Sequence, residues 1–476
     1  MTDLLRRLGS PVQKLFSCQH MLKPGEALGE LPSTKEFYQR VLQMAWPSAL
    51  ESMLVSLIGA IDTIMVGFLG AEAIAAVGIT NQPKFIVLAF IFSLNYGVTA
   101  CVSRRKGEEN VDGANRCMRQ AIIISFCLSL ILSIVGFLFA REIVTFAGAQ
   151  ADTVEDATIY FRILLTGMVF TAVTLTINAA QRGAGNTKIS MRTNVTANIV
   201  NVIFNYLLIG GNLGFPMWGV AGAAAATTLG NFVAMCMAIH SITSKRSVFL
   251  RLHRKDSWKF DRETLSGIVK VSSSSMVEQV FMRIGFFTYV KLVASLGTIA
   301  FATHQICMNI LNFSFAAADG LGIATSALVG QSLGAKRPDK AIIFGKTGQR
   351  VGLAVATLMF FIFIFGRDLL IELFSRDPQI ISMGAQIMIV IAFTCHIQIS
   401  QVVISGCLRG AGDTFFVAMS SLVSIMFVRP IVTWILCYPL GWGLIGAWIS
   451  LLADQLIRMV ANYWRFGTGK WTKISL

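Results

Sequence analysis

The sequence predicts an all-α integral membrane protein with twelve transmembrane helices in two parallel six-helix bundles. Three observations predict it. Of 476 residues, 54% are hydrophobic and only 14% charged, at a mean hydropathy of +0.66, whereas a soluble domain is nearer one quarter charged. Apolar runs able to cross the hydrocarbon, about 20 residues each, recur along the whole chain. The second half also repeats motifs of the first. These properties exclude a water-soluble enzyme, a disordered chain and a disulfide-stapled secreted domain.

The apolar runs fall at 41–68, 74–102, 120–140, 158–180, 193–213, 217–242, 265–295, 298–330, 342–365, 380–407, 415–439 and 442–464. The gaps between them alternate in charge. Arg104, Arg105, Lys106, Arg116 and Arg119 follow the second run. Arg182, Lys188 and Arg192 follow the fourth. Lys245, Arg246, Arg251, Arg254, Lys255, Lys259 and Arg262 follow the sixth, and Lys336, Arg337 and Lys340 the eighth. The intervening gaps are poor in cations: Arg141 after the third, Arg367 and Arg376 after the ninth, with Lys84 early in the second run on that poorer side. The positive-inside rule puts both termini in the cytoplasm, and an even number of spans agrees. The formal charge of +15 is thus read as a topology signal, with no nucleic-acid partner expected. Residues 1–36 carry short amphipathic patches (Leu4, Leu5, Leu15, Phe16) but no apolar core of a cleavable signal. They are read as a cytoplasmic extension, and the first span as the insertion signal. The 9 Cys form no CxxC pair, and the 5 His form no HExxH, so neither a disulfide framework nor a metal centre is expected.

The gap 243–264 is the longest and most polar, and reads as a connector between residues 37–242 and 265–465, with a tail at 466–476. Self-comparison supports a duplication. RGAG at Arg182–Gly185 recurs at Arg409–Gly412, a shift of 409 − 182 = 227. The same shift aligns Gly70 with Gly297, Val102 with Val329, Gly107 with Gly334 and Glu51 with Glu278. A shift of 442 − 218 = 224 aligns Trp218-Gly219 and Gly222-Ala223 with Trp442-Gly443 and Gly446-Ala447. Six spans per copy keep both copies in one orientation, so the repeats are parallel, and substrate is expected between the bundles near the midplane.

An ionisable group in hydrocarbon costs roughly 2.5–3.5 kcal/mol on insertion scales, so it has a partner or a task. Asp62, in IGAIDTIMVGF, is the clearest case, and its repeat mate is Tyr289. It reads as a carboxylate alternating between free and cation- or proton-bound forms, against a carboxylate merely satisfied by Ser and Thr. Asn194, Asn198, Asn201 and Asn205, spaced 4, 3 and 4, share one helical stripe. They serve either as interhelical glue or as a cavity lining. Asn201 and Asn205 lie deepest, and Thr227 in GVAGAAAATTLG is a third candidate. Glu51 and Glu278 recur in corresponding places, as a gate or hinge, or paired with a nearby Arg. Arg283 and Arg429 are intramembrane cations, and a pair of Glu278 or Asp454 with Arg429 or Arg283 is a further candidate site. Phe281, Met282, Phe286 and Tyr289 read either as core or as an adaptable wall for apolar or cationic guests. No GxxxxGK[ST] or nucleophile elbow occurs, so no ATP-driven motor and no catalytic residue is expected. RGAG reads as a tight turn and helix restart rather than a phosphate loop.

Taken together, IDTIMVGFLGAEAIAAVG, LRGAGDT and the WGVAGAA and WGLIGAW turns resemble the multidrug and toxic compound extrusion (MATE) transporters of prokaryotic type, over residues 36–465. The resemblance implies an antiporter that exports organic cations or amphipathic compounds against inward protons or sodium by alternating access. It implies a multi-pass protein of the plasma (inner) membrane, monomeric, with a small organic substrate, the bilayer as its surroundings and no cofactor beyond the coupling ion. Related flippases for lipid-linked oligosaccharides share the superfamily and are the alternative. In MATE transporters an acid on helix 1 is the ion site, and Asp62 matches it; sodium would bind there if it is the ion. The prokaryotic branch adds Asn and Asp four apart on helix 5 and Thr on helix 6. Asn201, Asn205 and Thr227 fall on those positions, with Asn205 departing from the Asp. That departure weakens a sodium reading and favours simple protonation of Asp62. Another branch carries an acid further along helix 7 than Glu278.

Overall fold

The computed structural model describes residues 16–244, 249–253 and 257–474. Leu4, Leu5 and Leu15, and Lys245, Arg246, Arg254 and Lys255 of the connector, lie outside the described residues. Among the described residues the elements are helices, and no strand occurs. The long helices are α1 (Thr34–Gly67), α2 (Ala71–Gly107), α3 (Val111–Leu138), α4 (Val154–Gly183), α5 (Thr187–Gly210), α6 (Gly219–Thr243), α7 (Arg262–Ala294), α8 (Thr298–Gly334), α9 (Pro338–Phe365), α10 (Pro378–Ala411), α11 (Thr414–Cys437) and α12 (Gly443–Gly467). Each expected span therefore has its helix. Ten of these, all but α5 and α7, are long and apolar enough to cross a membrane by composition alone. The other two are long but interrupted by polar groups: the Asn stripe in α5, and Lys270, Glu278, Arg283 and Lys291 in α7.

Residues cluster into two compact units. The amino-terminal unit holds Glu51–Lys106 and Asn110–Met276; the carboxy-terminal unit holds Val277–Leu476, Gly107–Glu109 and the described residues up to Leu50. This differs from a division at the connector. The first turns of α1 count with the carboxy-terminal unit, and the first turns of α7 with the amino-terminal one. The two seams, after Leu50 and after Met276, lie 276 − 50 = 226 residues apart, so the exchange repeats with the duplication.

Small residues set the helix spacing. In the amino-terminal unit a side chain at Gly222 would meet the Leu208 carbonyl at 2.5 Å, and one at Gly230 the Ala197 carbonyl at 2.6 Å. Hence α6 lies backbone-to-backbone on α5. In the carboxy-terminal unit Gly320 of α8 abuts the Ala49 backbone of α1, and Gly285 of α7 the Ile425 carbonyl of α11. α11 widens to a π-helix over Val423–Val428, two residues before Pro430. Proline has no N–H to continue the preceding ladder, and π-turns gather where helices carry function or strain.

Part of the 1–36 extension is docked on this same unit. Lys346 Nζ donates to the Met21 carbonyl at 2.6 Å, and Leu28 N to Asp339 Oδ2 at 3.2 Å. Arg337 holds Asp339 at 2.8 Å and donates to the Glu30 carbonyl at 3.1 Å. Met21 and Cys18 are buried. Before α7, Asp261 accepts from Thr264 Oγ1 at 2.7 Å and Thr264 N at 3.0 Å, bonds that hold its carboxyl below the usual carboxylate range and satisfy the first turn.

The duplicated RGAG turns fold alike. Gly185 (φ +94°) and Gly412 (φ +91°) adopt the left-handed conformation that ends α4 and α10. The Arg of each motif reaches the duplicated Glu. Arg409 Nη2 lies 2.7 Å from Glu278 Oε1, and Ser421 Oγ donates to the same oxygen at 2.9 Å. Arg182 Nη1 lies 3.7 Å from Glu51 Oε1, with Ser190 Oγ donating at 3.1 Å and Asn194 Nδ2 also bonded. Glu278 is 1% exposed and Glu51 8%. Removing one partner of a buried pair costs about 3–5 kcal/mol. Arg409→Met should therefore lower the thermal unfolding midpoint in detergent markedly. Arg182→Met should lower it less, since Glu51 keeps two neutral donors. Equal midpoints for the two variants would count against this ranking.

Candidate functional site

One polar cluster lies inside the amino-terminal unit, on α1, α5 and α6. Asp62 is half-buried and lies near the end of α1, five residues before its last residue, Gly67. Asn205 Nδ2 donates to Asp62 Oδ1 at 2.6 Å. Asn201, one turn earlier on α5, has its amide between Asp62 and Thr227. In the orientation that satisfies both amide atoms, its nitrogen donates to Asp62 Oδ1 at 2.8 Å and Oδ2 at 3.2 Å. Its oxygen then accepts from Thr227 Oγ1 at 3.1 Å. In the reverse orientation it donates to Thr227 and accepts from Asn205 Nδ2 at 3.4 Å. Asn201 and Asn205 are buried, and Asn205 Oδ1 has no hydrogen-bond partner. The close α5–α6 packing at Gly230 brings Thr227 within reach. The four residues singled out in the sequence are thus brought together.

The rest of the Asn stripe does other work. Asn194 holds Glu51 and accepts from Asn178 at 3.5 Å, which is the glue reading. Asn198 is half-buried. Sequence reading missed two neighbours of the cluster. Lys84 on α2 was assigned to topology, but its charge acts on Asp62. Tyr160, buried on α4, is within electrostatic reach of Asp62 as well. A cation one helix away from the acid was the available signal, and topology bookkeeping absorbed it.

The carboxy-terminal unit holds a different cluster. Asp454 is fully buried on α12 and bound by Arg429 of α11 through Nη2, with Nε at 3.2 Å. Arg458 Nη2 lies 3.0 Å away on the same oxygen, and Ser424 Oγ donates to Oδ1 at 2.6 Å. The Arg429 guanidinium lies 4.7 Å from the Phe286 ring centre and 5.4 Å from that of Tyr289. His304 packs its ring at 5.6 Å from Tyr289 and 5.5 Å from Trp448. Of the second-half pairings offered by the sequence, Asp454 with Arg429 forms, and Glu278 is taken by Arg409 instead. Arg409, in the last turn of α10, meets Glu278 at the middle of α7. Arg283 is half-buried on α7. The wall reading of Tyr289 is corrected. It is 1% exposed and donates to the Ala447 carbonyl at 3.2 Å, so it is core. Phe286 is the aromatic face under Arg429, and Phe281 and Met282 are half-buried on the same helix. Arg458, Ser424 and His304 had escaped notice, because nothing in their spacing ties them to Asp454 except Arg458, four residues on.

A family model described as MatE matches residues 47–207 and 274–435. The chain belongs to the MatE family. The two matched blocks start 274 − 47 = 227 residues apart, which is the internal shift read from the RGAG repeats. MatE proteins are membrane transporters, and the chain is a multi-pass member of that class. Among its relatives is a probable multidrug resistance protein NorM of Thermotoga maritima, 27% identical over 441 residues, covering 92% of this chain and 94% of that protein. A multidrug resistance protein MdtK of Pectobacterium atrosepticum is 25% identical over 431 residues, covering 90% and 91%. The fold matches a multidrug resistance MATE transporter in an outward-facing conformation, with a TM-score of 0.85 at 20% identity, covering 91% of this chain and 97% of that one. It matches equally a transporter of the MOP superfamily from Pyrococcus furiosus, TM-score 0.85 at 20% identity, over 92% and 97%.

The two clusters call for opposite behaviour in this MatE chain. Asp454 is locked between two guanidinium groups, so Asp454→Asn leaves two buried cations short of a counter-charge. It should cost about 3–5 kcal/mol, read as a fall in unfolding midpoint and in detergent-soluble yield. Asp62, held by neutral amides, should tolerate Asp62→Asn with its midpoint kept. A midpoint loss at Asp62 matching that at Asp454 would reverse the assignment.

Proposed function

We propose that the chain is a secondary active antiporter that exports organic cations or amphipathic compounds in exchange for an inward-moving cation, and that Asp62 is where that cation binds. The single observation that carries this reading is a half-buried carboxylate near the end of α1, a helix apolar enough to cross a membrane, whose hydrogen-bonding neighbours are neutral amides. A charged side chain within a membrane-spanning helix is costly, so neutralising it changes how α1 packs. In the proposed cycle Asp62 takes up the cation from the outer side, α1 repacks, and guest release accompanies ion entry. Return to the inner side discharges the cation and readies the site for the next guest. The multidrug resistance names of the NorM and MdtK relatives support the substrate class.

The donor set favours a proton. Asn205 Nδ2 and Asn201 present N–H groups to Asp62, whereas a sodium ion needs several oxygen ligands at once. Asn205 also replaces a second carboxylate with a neutral group. The lipid-linked oligosaccharide flippase reading lacks support at Arg429, whose charge Asp454 already meets. Further elements of the reading are a monomer in a bacterial-type inner membrane, with both termini cytoplasmic.

Vesicles loaded with a fluorescent cationic dye test the proposal. Wild-type protein should move dye under a proton gradient, and Asp62→Asn should abolish that movement while inserting normally. Full efflux by the variant would end the proposal. Asn205→Asp places two carboxyl groups at hydrogen-bond distance and adds oxygen ligands. Dye movement by that variant should gain a response to a sodium gradient that the wild type lacks. Sodium-driven efflux by the wild type would instead move the coupling ion from proton to sodium.

A further inference from the structure

A cavity of about 840 Å³ opens at one end of the amino-terminal unit, away from Asp62. Two cations and an imidazole line it: Lys106 from the last turn of α2, Arg192 from the second turn of α5 and His240 from the last turn of α6. Among the described lining residues there is no carboxylate. The opposite wall is apolar and belongs to α6, with Phe232, Val233 and Met237 following one another at helical spacing. Lys106 Nζ stands 3.9 Å from the centre of the Phe249 ring. That contact holds the ammonium at the rim by cation–π attraction without neutralising it. Arg192 is exposed and makes no ion pair among the described residues. Ala184 and Asn186 of the first RGAG turn also line the cavity, so it lies at the end of the unit that the charge pattern assigns to the cytoplasm.

A cluster of unneutralised cations repels the cationic guests proposed for this transporter. The same cluster beside an apolar wall, at the level of a membrane surface, matches the two ends of a phospholipid. Basic pockets between helices on the cytoplasmic side recognise anionic headgroups in this way. We propose that this cavity is a binding site for an anionic phospholipid of the inner leaflet. The phosphodiester meets Lys106, Arg192 and His240, and an acyl chain lies along Phe232, Val233 and Met237. Phe232 is exposed at 44%, which gives the chain an open apolar face to cover. The site does not depend on Asp62 or on the identity of the transported compound.

The test uses the full-length protein in nanodiscs of phosphatidylcholine mixed with phosphatidylglycerol, released for native mass spectrometry so that co-purifying lipids are counted. Wild-type protein should retain phosphatidylglycerol over phosphatidylcholine. Each removed cation should reduce that preference by about five-fold, so Lys106→Gln with Arg192→Gln should nearly erase it. Val233→Trp fills the cavity and leaves the charges in place; it should lose the lipid as well, and it serves if the double variant fails to fold. Added inorganic phosphate should not displace the lipid, because it lacks the acyl chain. Equal retention of the two lipids by wild type, or unchanged preference in both variants, overturns the site. Displacement by phosphate overturns the lipid as its occupant.

Discussion

A charge inside hydrocarbon has to be met, and how each charge is met sorts the polar residues of this chain. Glu278 is met by Arg409, and Asp454 by Arg429 and Arg458. Those are fixed solutions: removing the charge strands its partner. Asp62 is met differently: amides supply its hydrogen bonds, and the charge of Lys84 acts on it from α2. A primary amide carries both donors and an acceptor. It can give N–H groups to a carboxylate or, turned over, accept from a carboxylic acid. Asn201 meets Asp62 through its amide nitrogen and Thr227 through its amide oxygen. A site that must exist both charged and neutral is better served by such groups than by a guanidinium. The geometry around Asp62 therefore suits a change of charge, and the geometry around Asp454 opposes one.

Duplication makes the contrast sharper. At the shift of 227, Glu51, Arg182 and Asn194 become Glu278, Arg409 and Ser421, and in both halves the polar residue on the fifth or eleventh helix bonds the carboxylate. The anchor was therefore kept. Asp62, Asn201 and Asn205 become Tyr289, Val428 and Val432. Neither the carboxylate nor the two amides has a counterpart at these positions, as expected when the acid that required the amides is absent. Tyr289 then packs as core, and its ring faces Arg429. One half carries the candidate ion site; the other has turned the corresponding space into a locked, aromatic-lined interior.

Most of the fold was legible because lipid leaves few choices: backbone groups must bond internally, so apolar runs become helices, and each predicted run has one. The RGAG turns were legible because only a left-handed glycine ends a helix so tightly there. The Asp62–Asn201–Asn205–Thr227 grouping was legible in two parts, the stripe by its 4, 3, 4 spacing and its distance to Asp62 only through the family resemblance. What stayed hidden was long-range. No periodicity within α7 tells that Glu278 meets an Arg 131 residues later. The docking of Met21 on Lys346, across 325 residues, is equally silent in sequence. Lys84 was visible but counted once, as a topology charge, when it also acts on Asp62.

The seam in α1 bears on how the proposed cycle could move it. Up to Leu50 the helix belongs to the carboxy-terminal unit, where Ala49 abuts Gly320 with no room for a side chain between them. Glu51, the next residue, is tied to Arg182, Ser190 and Asn194. Asp62 lies 62 − 51 = 11 residues further, about 16 Å along a helix at 1.5 Å per residue. A close backbone contact and a buried carboxylate thus hold the lower part of α1 at adjacent residues. The three turns beyond Glu51 carry side chains that are mostly half-buried or exposed. The same seam before Glu278 in α7 has the anchor without the acid. Both halves thus keep the buried Glu close to the seam, and only α1 carries an acid beyond that Glu.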